Sequence, residues 1–328
     1  MADVPSKRLR VVQIGCGAWG RNLVRELHGH PGVDLVLLID PDPNALARSH
    51  DLAPDASTAS SIDSIQDREV EACVIASPGP MHASHALAAL RVGDVFLEKP
   101  MTTSVTDARM LVSACKAYGR VGMVGHLLHH HGAVQAMLAA VREGRIGAPL
   151  VFRSARLCVR GSRDVDGSML WCLAPHDISV LRMLDTSSVQ RMKVDLHCLG
   201  SCVGATGPNV ADMRLRMASG LFAHVQVSRA HAHKVRRMEI AGELGTVVLD
   251  DMATTSKLTL HWKGRVEDLQ FDPVPPLRAE VDAFVRCVRG CSVSRTDFSE
   301  GLAVVELLEC AQRVACVTRE SPADWAAW

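Results

Sequence analysis

Two stretches carry residue types that could do chemistry. The first is Val95-Phe96-Leu97-Glu98-Lys99-Pro100. Its apolar run suits a short strand buried on both faces, and it ends by presenting a carboxylate and an ammonium group. Pro100 fixes the local backbone and biases Lys99 toward an extended conformation. In open α/β sheets the carboxyl ends of strands face the ligand crevice. Lys99 is therefore either a cation held stiffly where chemistry is done or a surface lysine at a strand end. The second stretch is Gly15-Cys16-Gly17-Ala18-Trp19-Gly20. Its G-x-G-x-x-G spacing suits phosphate binding: a tight turn, close backbone approach to a pyrophosphate, and close helix–strand packing at the third glycine. Asp40 follows Gly20 by twenty residues. A carboxylate there accepts hydrogen bonds from both ribose hydroxyls of NAD and repels the 2′-phosphate of NADP. The expected cofactor is NAD, with NADP the less favoured form. A strand–turn–helix without cofactor is the alternative.

The elements that must position these residues alternate at α/β spacing. Residues 10–14 read as a first strand, 21–28 as a helix, 33–39 as a second strand ending at Asp40, and 44–50 as a short helix. Residues 71–76 form a further buried strand ended by Ser77-Pro78-Gly79-Pro80, and 81–91 a helix carrying His82. The Val95 strand, a helix over 105–118 and a strand over 121–124 complete a doubly wound parallel sheet, closing near Gly125. The second half changes character. A helix over 132–143 and a strand over 150–159 lead to a helical run over 178–184. Strand-like runs then follow at 190–199, 210–217, 221–228, 236–241, 246–249 and 257–262. Consecutive strands without intervening helices predict a largely antiparallel open sheet in an α+β domain. Helices over 277–288 and 298–317 precede a polar tail. The expected domains are 1–125 and 126–328.

Composition narrows the classes. The chain has 328 residues, 48% of them hydrophobic, with a formal net charge of +0. A nucleic-acid or membrane-surface protein needs a basic excess, which is missing here. The eleven cysteines are scattered without framework spacing, which suits reduced thiols and a cytoplasmic location. Lys7, Arg8 and Arg10 have no apolar run of signal-peptide length behind them, and no run of membrane-spanning length occurs.

The order of these parts resembles the Gfo/Idh/MocA oxidoreductases (glucose–fructose oxidoreductase, inositol dehydrogenase and relatives) over nearly the whole chain. The motifs that carry the resemblance are Gly15 to Gly20, Asp40, Ser77-Pro78 with His82, Glu98-Lys99-Pro100, Gly125-His126 and Ala174-Pro175-His176-Asp177. Residues 170–179 and 234–251 look most similar to the branch that oxidises nucleotide-linked amino sugars at C3. The resemblance implies a Rossmann domain and an α/β second domain whose open sheet often buries itself against a partner subunit, hence a homo-oligomer. It also implies an NAD-dependent dehydrogenase or ketoreductase of a ring secondary alcohol, on a sugar, nucleotide sugar or amino sugar. An inositol or aminocyclitol dehydrogenase, or a cofactor-bound sensor without turnover, are the alternatives. Lys99 and His176 match the family's catalytic lysine and histidine. The cofactor is expected against Gly15, Gly17, Ala18, Trp19, Gly20, Asp40, Ser77, Pro78, His82, Glu98, Lys99 and His126. The substrate is expected against Lys99, Arg156, Trp171, Cys172 and His176.

Three departures from the family pattern stand out. Cys172 occupies the position, four residues before His176, where the family commonly has an aspartate. Asp177 points about 100° around a helix from His176 and is a doubtful replacement. Gly125-His126-Leu127-Leu128-His129-His130-His131-Gly132 has histidines in place of the family's arginine and aromatic residue. Tyr118 is the one tyrosine, which excludes a tyrosine relay in the second domain. His129, His130 and His131 diverge by about 100° each on a helix start, which favours substrate contact or a solvated entrance over metal. Cys198/Cys202 and Cys287/Cys291 lack zinc-site partners; no metal is expected. Arg156, Arg160 and Arg163 either hold a phosphate or carboxylate or are solvated loop charges.

Overall fold

The structure, a computed structural model, describes residues 7–66, 69–159, 168–199 and 207–319. Arg160, Arg163 and Cys202 lie outside the described residues. The backbone divides into two compact units, one made of Met1–His130 with Val274–Val305, the other of His131–Pro273 with Glu306–Trp328.

The first unit begins with β1 (Leu9–Ile14), α1 (Gly20–His28), β2 (Val33–Ile39), α2 (Pro43–His50) and β3 (Ser57–Ala59). It continues with β4 (Ala72–Ile75), α3 (His82–Leu90), β5 (Asp94–Glu98), α4 (Val105–Ala117) and β6 (Gly122–Gly125). The six strands form one sheet in the order β3-β2-β1-β4-β5-β6, and every pair is parallel. Parallel strands covered on both faces need continuous apolar runs. Val11, Val12, Val74, Ile75, Val95, Phe96 and Leu97 supply them and are buried. The strand order reverses between β1 and β4, the switch point outside which such sheets bind ligands. β3, only Ser-Thr-Ala, carries no pattern that a sequence reading could find.

The second unit contains α5 (Gly132–Arg142), β7 (Pro149–Val159), α6 (Met169–Leu184), β8 (Val189–Cys198) and β9 (Val210–Met217). Then come β10 (Phe222–His231), β11 (Val235–Gly242), β12 (Gly245–Asp250), β13 (Leu258–Trp262) and β14 (Arg265–Asp268). The chain continues through α7 (Pro276–Val288), α8 (Phe298–Val314) and β15 (Ala315–Arg319). The nine-stranded sheet runs β14-β13-β12-β11-β7-β10-β9-β8-β15. It is mostly antiparallel, with β7–β10 and β8–β15 the parallel pairs. β9 alternates buried and outward-facing residues, as expected of a sheet packed on one face. Among the described residues no helix is long and apolar enough to cross a membrane.

Two element ends differ from the sequence reading. α6 starts at Met169, well before residue 178, and holds Pro175 inside it. A proline usually marks a helix start; here the helix tolerates it, although Pro175 has no N–H to offer the preceding turn. α8 ends at Val314, and residues 315–319 pair with β8 instead of extending the helix to 317. A neighbouring strand edge outweighs local helix propensity there.

Residues 274–305 return to the first unit, whereas the sequence reading placed everything after 125 in the second domain. The reason is apolar burial. Val281, Phe284 and Val285 of α7 share one core with Leu23, Val24 and Leu27 of α1. The Phe284 ring meets the edge of Phe96 on β5, with centroids 5.7 Å apart.

Candidate active site

The glycine turn sits at the carboxyl end of β1. Gly15 has φ +90°, and a Cβ there would lie 2.5 Å from the Ala76 carbonyl carbon and the Ser77 nitrogen. A Cβ at Gly20 would lie 2.1 Å from the Gly15 oxygen, whereas at Gly17 nothing comes within 4 Å. So Gly15 and Gly20 are glycines because the protein crowds them. Gly17, with exposed Ala18 and Trp19 after it, is open to a ligand. α1 begins with no side-chain cap and no acidic residue in its first turn, leaving N–H groups and the positive dipole end for a phosphate. The Asp40 carboxylate accepts from the Cys16 backbone N–H at 2.7 Å and from the Asp42 N–H at 2.8 Å. It therefore ties the end of β2 to the glycine turn. Its two oxygens keep further acceptor capacity for ribose hydroxyls. The buried Gln13 side chain donates to the Gly15 carbonyl at 2.9 Å and braces the turn from below. These groups fit a nicotinamide dinucleotide.

β5 ends on the other side of the switch point. Glu98 is buried, accepts from the Lys99 backbone N–H at 3.1 Å, and accepts the indole N–H of Trp19. Trp19 thus links the glycine turn to the strand that carries Lys99. Burial pushes the Glu98 carboxyl up, while the Lys99 ammonium and the two N–H bonds pull it back. Gly125 pairs with Glu98 across β6, and a Cβ there would come within 3.1 Å of the Glu98 carboxyl. His82 is buried with one ring nitrogen 2.8 Å from the Pro100 carbonyl and the other 2.8 Å from the Ser77 carbonyl. It pins together the loops after β4 and β5. Burial holds its pKa below the usual histidine range despite two carbonyl partners that favour the charged ring. His85, not singled out from the sequence, completes this brace through the Ser77 hydroxyl at 3.0 Å.

The three consecutive histidines separate as their divergent directions require. His129 is buried and its ring stacks on that of His126, with centroids 5.9 Å apart. Burial and the Arg295 charge push His130 down to about 4. His131 caps α5 by accepting from the Ala133 N–H at 3.2 Å, and its other nitrogen lies 3.5 Å from Asp251. Among the described residues, no three His, Cys, Asp or Glu side chains are grouped to hold a metal.

In the second unit, Trp171, Cys172 and His176 share α6. Cys172 and His176 lie one turn apart, on one face. Asp177, about 100° around the helix from His176, is fully buried, and its carboxylate accepts from Arg156 Nε at 2.7 Å, from Arg156 Nη2 at 3.3 Å and from the Ser154 hydroxyl. Arg156, expected against substrate, is here the inward anchor that fastens α6 to β7. The Trp171 indole N–H donates to Gln312 on α8. Glu280 on α7 also escaped the sequence reading. Its one signal was a carboxylate on the apolar face that carries Val281 and Phe284.

Comparison with known proteins agrees with this architecture. Residues 9–126 match a family model described as an oxidoreductase family with an NAD-binding Rossmann fold. Residues 134–248 match the GFO/IDH/MocA C-terminal domain. The chain is 32% identical over 160 residues to an uncharacterised oxidoreductase of Streptococcus pneumoniae, covering 48% of this chain and 42% of that protein. It is 30% identical to an inositol 2-dehydrogenase of Acidothermus cellulolyticus, covering 74% of this chain and 73% of that one. Among solved structures, a UDP-N-acetylglucosamine 3-dehydrogenase of Acidithiobacillus ferrooxidans superposes with a TM-score of 0.83 at 20% identity, covering 94% of this chain and 98% of that one. With its glycine turn, its switch point and both domain models matched, the chain belongs to the Gfo/Idh/MocA oxidoreductase family.

Proposed function

We propose that this protein is an NAD-dependent dehydrogenase or ketoreductase acting on a ring secondary alcohol of a sugar, foremost a nucleotide sugar or amino sugar. The observation that carries the reading is the placement of Lys99. It follows β5 directly at the carboxyl edge of the parallel sheet, beside a Glu98 that Trp19 ties to the glycine turn. The bound nicotinamide supplies the hydride acceptor. Asp40 receives the ribose hydroxyls and disfavours a 2′-phosphate. The Lys99 ammonium stabilises the oxyanion that forms as the hydroxyl loses its proton. His176 takes that proton as the general base, a role an imidazole nitrogen can fill. Cys172, one turn away on α6, places a thiol where the family commonly has a charged group.

A cyclitol is the second reading, favoured by the inositol 2-dehydrogenase relative in Acidothermus cellulolyticus. The nucleotide-sugar reading draws on the fold-level likeness to the Acidithiobacillus enzyme. The test is nicotinamide absorbance with the purified protein against nucleotide sugars, amino sugars and cyclitols, in both directions. Turnover with nucleotide or amino sugars is the expected result. Turnover confined to cyclitols replaces the first reading with the second, and silence across the panel with NAD bound by calorimetry overturns both.

A further inference from the structure

Glu280 has no part in the reaction as drawn. It lies on α7 in the first unit, is 0% exposed, and among the described residues neither carboxylate oxygen has a hydrogen-bond partner. A buried carboxylate without partners is costly enough that the group keeps its proton instead. Its location follows from the Phe96–Phe284 contact at 5.7 Å. Glu280 precedes Phe284 by one helical turn and shares its face. Glu98 follows Phe96 by two residues and shares its side of the strand. The two carboxyls therefore converge, and after burial the Glu98 charge is what raises Glu280 far above the ordinary carboxyl range.

The two groups are supported unequally. Glu98 receives the Trp19 indole N–H and the Lys99 backbone N–H, and lies beside the Lys99 ammonium. Glu280 receives nothing. Two close carboxyls in a buried site cannot both ionise cheaply, and the unsupported one takes the proton. The other titratable groups on elements packed against α7 are His129 and His130, next to His126 after β6. Arg25, Glu26 and His30 flank it from α1 and its end. Arg278, Asp282 and Arg286 of α7 itself are exposed, and Asp282 pairs with His30 and Arg286.

We propose that Glu280 and Glu98 form one buried carboxyl pair carrying a single negative charge, in which Glu280 holds the proton and so leaves the charge on Glu98, where Lys99 and Trp19 hold it. Glu280 is thus a positioning residue that acts through Glu98. Ionising it would place a second negative charge beneath the cofactor turn and weaken the site. The proposal rests on the reading of this site as the nicotinamide site, but its test needs no turnover.

Two measurements on the full chain decide it. Infrared spectroscopy at neutral pH should show the carbonyl band of a protonated carboxylic acid, lost in Glu280→Gln and in the apolar isostere Glu280→Met. Calorimetric titration with NAD should show the parent's affinity falling about tenfold toward alkaline pH, with the fall reduced in both variants. A band that is absent, or that survives both substitutions, overturns the proton assignment. A band that behaves as expected with parallel pH profiles overturns the positioning role. Inactivity against every sugar and cyclitol, with these signatures intact, defeats the proposed reaction and leaves the carboxyl pair standing.

Discussion

At the scale of single residues, the first unit separates glycines and acids that hold the backbone from those that face a ligand. Asp40 does both. It accepts two backbone N–H groups and keeps acceptor capacity toward the ribose. Asp40→Asn keeps an acceptor for the turn but removes the charge. NAD affinity should fall, and the preference for NAD over NADP should shrink by about tenfold, the effect of ~1.4 kcal/mol. An unchanged preference, measured by titration with both cofactors, would remove Asp40 from cofactor choice. Lys99 makes the complementary test. Lys99→Ala should lower kcat by about 10²–10³, the usual cost of losing one donor to a developing oxyanion, while NAD binding persists. Retained turnover would take the lysine out of the chemistry. Chain order singles out these two positions, because Asp40 follows the apolar run of β2 and Lys99 stands two residues after that of β5. Glu280 and His85 were not legible: their roles depend on which helix packs over which strand end.

At the scale of elements, α6 carries His176 and is fastened to β7 from behind. Asp177 is fully buried, and the Arg156 guanidinium meets it in a two-bond arrangement. Removing one partner of a buried pair leaves an uncompensated charge, which costs about 3–5 kcal/mol. Arg156→Ala should therefore lower stability by that order, read from urea unfolding, and should weaken turnover through misplacement of His176. A variant of parental stability with a raised KM would instead restore Arg156 to the substrate, the role its sequence position suggested. The sequence could not decide between these roles, since a guanidinium that holds an anionic ligand and one that holds an internal aspartate look alike without the register of β7. The alternation of strands and helices was legible from hydrophobic period alone. The start of α6 was hidden by Pro175, and β15 by a local composition that suits a helix as well as a strand.

At the scale of the whole molecule, net charge says little about pH dependence, because basic and acidic residues balance at 36 each. Particular groups set it instead, and they pull in opposite directions. The hydrogen bond from His131 outweighs burial and holds Asp251 below the ordinary carboxylate range. Its contribution is present above its unfolded value and lost as pH falls through the folded one. Glu280 acts the other way, because burial and then the Glu98 charge raise it. The folded chain keeps a proton that the unfolded chain releases above about pH 4.3. Its contribution is complete below that point and is lost progressively as pH rises toward the folded value. The parent's urea midpoint should therefore decline from about pH 5 to about pH 8. In Glu280→Gln, which has no proton to release, the decline should be shallower and the midpoint at the upper end higher than the parent's. Parallel curves for the two proteins would mean that Glu280 is ionised in the fold, and that some other group carries the alkaline loss.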